Sequence, residues 1–140
     1  MKNKVLTIST ANPEKTGILI ADRKGKIIDK KIWQPKQKQS EELLPQIDRL
    51  LRTNKMRTED LVFVIVDIGP GSFTGTRVGV ATANALSFAL DISVVGEKHQ
   101  DNIEDILNCG LQKYHRNKPK PGMIIKPVYF KQPNITKPKK

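Results

Sequence analysis

The 140 residues carry 25 lysines and arginines against 14 aspartates and glutamates, a net charge of +11, with 37% hydrophobic residues and one cysteine. That length allows one domain with a real core and little more, and a lone cysteine excludes a disulfide framework and a thiolate metal cluster. No apolar run reaches the length of a membrane span and MKNKVLTIST lacks the anatomy of a signal peptide, so the expectation is a cytoplasmic protein with no membrane partner.

VLTIST (5–10), TGILIAD (16–22) and KIIDKKIW (26–33) read as three strands of an antiparallel meander, with Gly25 suited to the positive φ of a hairpin turn. SEELLPQIDRLL (40–51) puts Leu43, Leu44, Ile47, Leu50 and Leu51 on one helical face. Ser40 is the expected N-cap, with Glu41 and Glu42 in the first turn, and Pro45 either sets the helix start near Leu44 or bends the helix. LVFVIVDI (61–68) reads as a buried strand. GPGSFTGTR (69–77) is then a tight strand-to-helix turn: three glycines and a proline force it, and Ser72 or Thr74 can cap the helix that follows, about 74–90. ISVV (92–95) is a fifth strand. Ile103, Ile106, Leu107, Leu111 and Tyr114 recur at helical spacing, and Asp101 with Glu104 resembles a capping box, so 101–115 is a helix returning to the sheet.

The order β-β-β-α-β-α-β requires a right-handed parallel crossover on a sheet that begins as a meander. The fold class is α/β, a single ribonuclease-H-like domain with a mixed five-stranded sheet. Its divisions are 1–97 for that domain, 98–116 for a C-terminal helix packing on it, and 117–140 for a basic, proline-rich, extended tail. Within that tail MIIKPVYFK (123–131) is apolar enough to lie on the domain.

The chemistry-bearing residues are few. His99 and His115 are the only histidines and form no HExxH pairing, so no metal and no cofactor are expected. The glycine turn lacks the Gly-Lys-Ser/Thr of a Walker A loop. Free N–H groups at a helix start suit an anion or a close partner, which makes Gly71, Ser72, Thr74 and Arg77 candidate contacts for a phosphate or a partner carboxylate; capping and a solvated arginine are the alternative. Gly75, Gly79 and Ala83 fall four apart, a stripe along which another element can approach closely, either a partner or this chain's own sheet. From Ile106 to Lys140 there is no acidic residue and nine basic ones, so this stretch carries +9 of the +11. Arg116, Lys118, Lys120 and Lys131 are therefore candidate RNA contacts, against the alternative of a solvated terminus.

SEELLPQIDRLL (40–51), VDIGPGSFTGTRVGVATANALSFAL (66–90) and PVYFK (127–131) resemble the TsaB family, also called YeaZ. The resemblance spans nearly all of residues 1–97 and then the tail motif. It implies an actin-like ATPase ancestry, two ribonuclease-H-like domains, and no catalysis by the chain itself. It also implies a partner, TsaD, which moves a threonylcarbamoyl group from its adenylate onto the adenosine beside the anticodon of certain tRNAs, and a small ATPase, TsaE, in a larger assembly.

Three departures stand out. The family is generally longer, so its second domain is expected to be mostly absent here. Ser9 stands where related proteins begin with an Asp whose counterpart in actin-like ATPases works with the metal–phosphate group, and Gln39 stands where relatives often carry His. The resemblance turns the small-residue stripe outward, putting Leu43, Leu44, Ile47, Gly75, Gly79 and Ala83 at a helix bundle with TsaD and making the lone chain a homodimer. The resulting reading is a non-catalytic scaffold. The alternatives are a divergent nucleotide-binding phosphotransfer enzyme of the actin-like superfamily and a tRNA-binding accessory module using the basic tail.

Overall fold

The structure, a computed structural model, describes residues 2–36 and 38–128. Three strands, β1 (Lys4–Ser9), β2 (Thr16–Asp22) and β3 (Ile27–Trp33), are followed by helix α1 (Gln39–Thr53) and strand β4 (Leu61–Asp67). Helix α2 (Phe73–Leu90), strand β5 (Ser93–Glu97) and helix α3 (Ile103–Asn117) complete the domain. The sheet order is β3-β2-β1-β4-β5. β1–β2 and β2–β3 are antiparallel, whereas β1–β4 and β4–β5 are parallel, so the sheet is mixed and five-stranded as the element order required.

β1, β2 and β4 read as near-continuous apolar runs because both faces of the sheet are covered. On one face Leu6, Ile8, Ile18, Ile20, Val64 and Val66 meet Leu43, Ile47, Leu50 and Leu51 of α1 and Val80 and Ala83 of α2. On the other, Val5, Leu19, Phe63, Ile65 and Val95 meet Ile103, Ile106, Leu107 and Leu111 of α3. Tyr114 closes that second layer by stacking on Phe63, ring centroids 3.7 Å apart. The helix expected at 101–115 thus does return to the sheet.

The helix starts differ from expectation. Lys38, not Ser40, occupies the N-cap of α1 and makes no side-chain cap bond, and Pro45 lies inside a helix that continues through it. The physical reason for the early start is Gln39, whose side-chain amide donates to Thr16 Oγ1 at 2.7 Å and pins the first turn to β2. Asn102, not Asp101, caps α3, again without a side-chain bond. Beyond α3 the chain runs back across the sheet end. Asn84 holds both the N–H and the C=O of Ile125, at 3.0 and 2.9 Å, and the Val128 N–H donates to the Ile68 carbonyl at 2.7 Å. Lys131 and the rest of PVYFK beyond Val128 lie outside the described residues.

Candidate functional site

The carboxyl ends of β1 and β4 meet at a buried polar cluster. Asp67, the last residue of β4, is fully buried. Its Oδ2 accepts the Ser9 hydroxyl at 2.9 Å and lies 2.6 Å from His99 Nδ1, while its Oδ1 accepts the Gly69 N–H at 2.9 Å. The His99 N–H donates in turn to the Gly69 carbonyl at 2.9 Å, and His99 Nε2 lies 3.5 Å from Asp101 Oδ1. A carboxylate is tolerated out of water only when its lone pairs are met, and three donors meet these.

Ser9 thus sits directly against a carboxylate supplied by the neighbouring strand. Sequence reasoning missed Asp67 and His99. The available signal was a charged residue ending an otherwise apolar strand just before Gly-Pro. The space over Ser9, lined by Asn12, Lys15, His99 and Asp101 among others, is about 10 Å³, the lower limit for one water molecule. No group of three or more metal-ligating side chains converges among the described residues.

The glycine turn follows at once. Gly69 has φ +90, a conformation that favours glycine, and precedes a cis bond to Pro70. Its neighbours are used internally. Gly71 packs on Ala11, where a Cβ would lie 2.6 Å from the Ala11 Cβ. The Ser72 N–H donates to the Ala11 carbonyl at 2.7 Å, and the Ser72 side chain accepts from the Gly75 N–H at 3.1 Å as the α2 N-cap. Gly71 and Ser72 therefore serve packing and capping. Thr74 and Arg77 are exposed, and the Arg77 guanidinium lies 5.1 Å from the centre of the Phe73 ring.

The small-residue stripe of α2 faces inward, which corrects the expectation that it faces a partner. A Cβ on Gly79 would come closer than 3.0 Å to Thr10 Oγ1, and one on Gly75 equally close to the Thr10 carbonyl. The stripe is bare because α2 lies on the exit of β1, where Thr10 Oγ1 donates to the Gly75 carbonyl at 2.5 Å. Ala83, Leu43 and Ile47 are buried in the same layer, so of the six residues expected at an interface only Leu44 is exposed, at 52%. A different face of α2 is open. Phe73 (56% exposed) and Phe88 (86%) share it with exposed Ala81, Ala85 and Ala89. Beside it, Ser40, Thr74, Arg77, Val78, Ala81 and Thr82 line a groove of about 370 Å³ between α1 and α2. Arg116, Lys118 and Lys120 are exposed at the end of α3, at the other pole from the glycine turn.

The family model described as TsaD, tRNA N6-adenosine threonylcarbamoyltransferase, matches residues 27–124. The tRNA threonylcarbamoyladenosine biosynthesis protein TsaB of Bacillus subtilis is 36% identical over 90 residues, 64% of this chain and 38% of that protein. The TsaB protein of Buchnera aphidicola subsp. Schizaphis graminum is 39% identical over 54 residues, 39% of this chain and 26% of that protein. In structure the chain is similar to YeaZ from Pseudomonas aeruginosa, with TM-score 0.63 and 21% identity over 83% of this chain and 50% of the other; this likeness bears on the ribonuclease-H-like fold alone. The chain spans half or less of the length of these relatives. With residues 27–124 inside that family model, the glycine turn and both flanking helices among them, the chain belongs to the family the model describes, and the two curated relatives named above are TsaB proteins.

Proposed function

We infer that the chain is a non-catalytic scaffold in tRNA threonylcarbamoyladenosine biosynthesis and binds a TsaD-type catalytic subunit through the exposed faces of α1 and α2. The observation that carries this reading is the apolar surface of Leu44, Phe73, Ala81, Ala85, Phe88 and Ala89 on two adjacent helices. The small alanines let a second helix come close while the two phenylalanine rings bury area, the geometry of a helix–helix contact. The interface lies on the next face of α2 from the small-residue stripe. The lone chain covers the same surface by pairing with a second copy in an isologous dimer, and a TsaE-type ATPase joins the larger assembly. Such work belongs to the cytoplasm.

The polar cluster supports a structural role over the phosphotransfer alternative. Both oxygens of Asp67 are engaged by groups of this chain, and the void over Ser9 holds about 10 Å³. Co-purification with the TsaD-type subunit from the same genome, sized by light scattering, tests the reading. A heteromer formed at the expense of a homodimer is the expected result; a chain that stays monomeric in the presence of that subunit overturns it.

A further inference from the structure

The basic residues at the foot of the sheet are gathered by the fold from two distant segments. The β2–β3 hairpin tip, 22–26, carries Arg23, Lys24 and Lys26, all exposed. Its one acid, Asp22, is occupied as the former of the turn: its carboxylate accepts the N–H groups of Lys24 and Lys26 at 2.9 and 3.0 Å. The bond from the Lys26 N–H is the main reason its carboxyl is held below the usual range. Gly25, with φ +98, rests on α3: a Cβ there would lie 3.2 Å from Leu111 Cδ1 and 4.0 Å from Asn108 Oδ1.

α3 passes the tip at Asn108 and Leu111 and runs on to Asn117, with Lys118 as its left-handed C-cap, so the end of α3 lies at the same end of the sheet as the tip, on the β5 side. Arg116, Lys118 and Lys120 are exposed there, and the chain that carries them is anchored, because Ser93 Oγ donates to the Pro119 carbonyl at 2.5 Å. Residues 106–128 contain no acid. Lys113 is spent on Glu97, at 3.3 Å, and on the Gly96 carbonyl, whereas none of the six cations forms an ion pair within the described residues.

We propose that Arg23, Lys24 and Lys26, together with Arg116, Lys118 and Lys120, form a binding surface for the phosphodiester backbone of a folded RNA. Two groups of exposed cations, without ion pairs among the described residues, match the spaced charges of a nucleic-acid strand and release its counterions. Tyr114, the aromatic nearest this surface in sequence, is stacked on Phe63 inside the core. It therefore offers no platform for bases, and recognition is of backbone rather than sequence. The surface belongs to the folded domain and is distinct from the basic tail beyond Val128. The choice of RNA rests on the tRNA-modification reading; the phosphate chemistry rests on charge placement alone.

The test is fluorescence anisotropy of a labelled tRNA with the full 140-residue chain, titrated between 50 and 200 mM salt. The two triple variants R23Q/K24Q/K26Q and R116Q/K118Q/K120Q are measured beside it, each checked for an unchanged melting temperature. Six phosphate contacts on a folded, largely duplex RNA correspond to a slope of log K against log salt of about −5. Each triple variant is expected to flatten that slope by about 3 and to weaken binding at least tenfold at the lower salt. Should a triple variant fold poorly, the single substitutions Lys24→Gln and Arg116→Gln take its place, each expected to flatten the slope by about 1.

Unchanged slopes in the variants, with binding lost only on truncation after Val128, overturn the proposal. So does tighter binding to phosphatidylserine vesicles or to polyglutamate than to tRNA. A chain that binds the TsaD-type subunit but no RNA defeats this inference and leaves the scaffold reading standing.

Discussion

Gly79→Ala separates an inward from an outward stripe by the sign of its effect. On an exposed helix face the change removes the cost of a mid-helix glycine and stabilises by about 1 kcal/mol. Here the new methyl falls closer than 3.0 Å to Thr10 Oγ1 and 3.4 Å from Thr10 Cβ and Cγ2. Thr10 is fully buried and its hydroxyl is committed to the Gly75 carbonyl at 2.5 Å, so it has nowhere to turn without losing that bond. Overpacking costs about 1–3 kcal/mol, and a stranded buried hydrogen-bonding group about 1–3 kcal/mol more. Set against the propensity gain, the net loss is about 1–5 kcal/mol, a fall of about 4–20 °C in melting temperature for a domain of this size. Circular dichroism during heating, repeated in urea, measures it. Adding Thr10→Ala should recover part of the loss, because the two changes act on one contact. A melting temperature equal to the parent's or higher would refute the inward packing.

Ala85→Arg, on the exposed face of α2, should leave the melting temperature within about 2 °C of the parent and abolish co-purification with the TsaD-type subunit. Leu43→Ala and Leu44→Ala form a matched pair one residue apart. The buried Leu43 should cost about 2–5 kcal/mol; the half-exposed Leu44 should cost less than about 0.5 kcal/mol in urea titration while weakening the complex. Asp67→Ala strands the Ser9 hydroxyl, the His99 ring and the Gly69 N–H together, and should cost about 2–4 kcal/mol, with hydrogen exchange accelerated at Gly69 and His99. The carboxyl of Glu104 is held below its usual 4.5, chiefly by the side-chain bond from Lys30. A depressed carboxyl contributes stability that is present above 4.5 and is lost as pH falls through its folded value. Glu104→Gln should therefore lose less stability than the parent on acidification below pH 4.5, read from urea midpoints; parallel curves would remove the pair from the acid limb.

The sheet and its three helices were legible because periodicity is a local signal. The Leu, Ile and Val runs of β1, β2 and β4 and the spacing of Ile103, Ile106, Leu107 and Leu111 each declare their faces within a dozen residues. The direction of the glycine stripe was not legible. A stripe of absent side chains reads the same whether it faces in or out, and what decides it is Thr10, 65 residues before Gly75. The polar cluster was hidden for the same reason. Ser9 and Asp67 are 58 residues apart and Asp67 and His99 are 32 apart, and nothing near any one of them names the other two. Cap identity at α1 failed on a tertiary bond, Gln39 to Thr16, outweighing the local preference for Ser40.

The strand order has a consequence for a chain emerging from a ribosome. β1 is the central strand, and the meander leaves one of its edges open until β4 arrives. Residues 34–60 must be synthesised in between, at roughly 5–20 residues per second an interval of about 1–5 seconds. During that wait Val5, Leu6, Thr7 and Ile8 offer an unpaired apolar edge to any neighbouring strand. The far side of the nascent meander is protected by its own composition, since β3 carries Asp29, Lys30 and Lys31 along the other edge. α1 is made within the same interval and can roof one face before the edge closes. Nascent chains stalled before Leu61 should therefore engage holdase chaperones, and release them once β4 has cleared the exit tunnel.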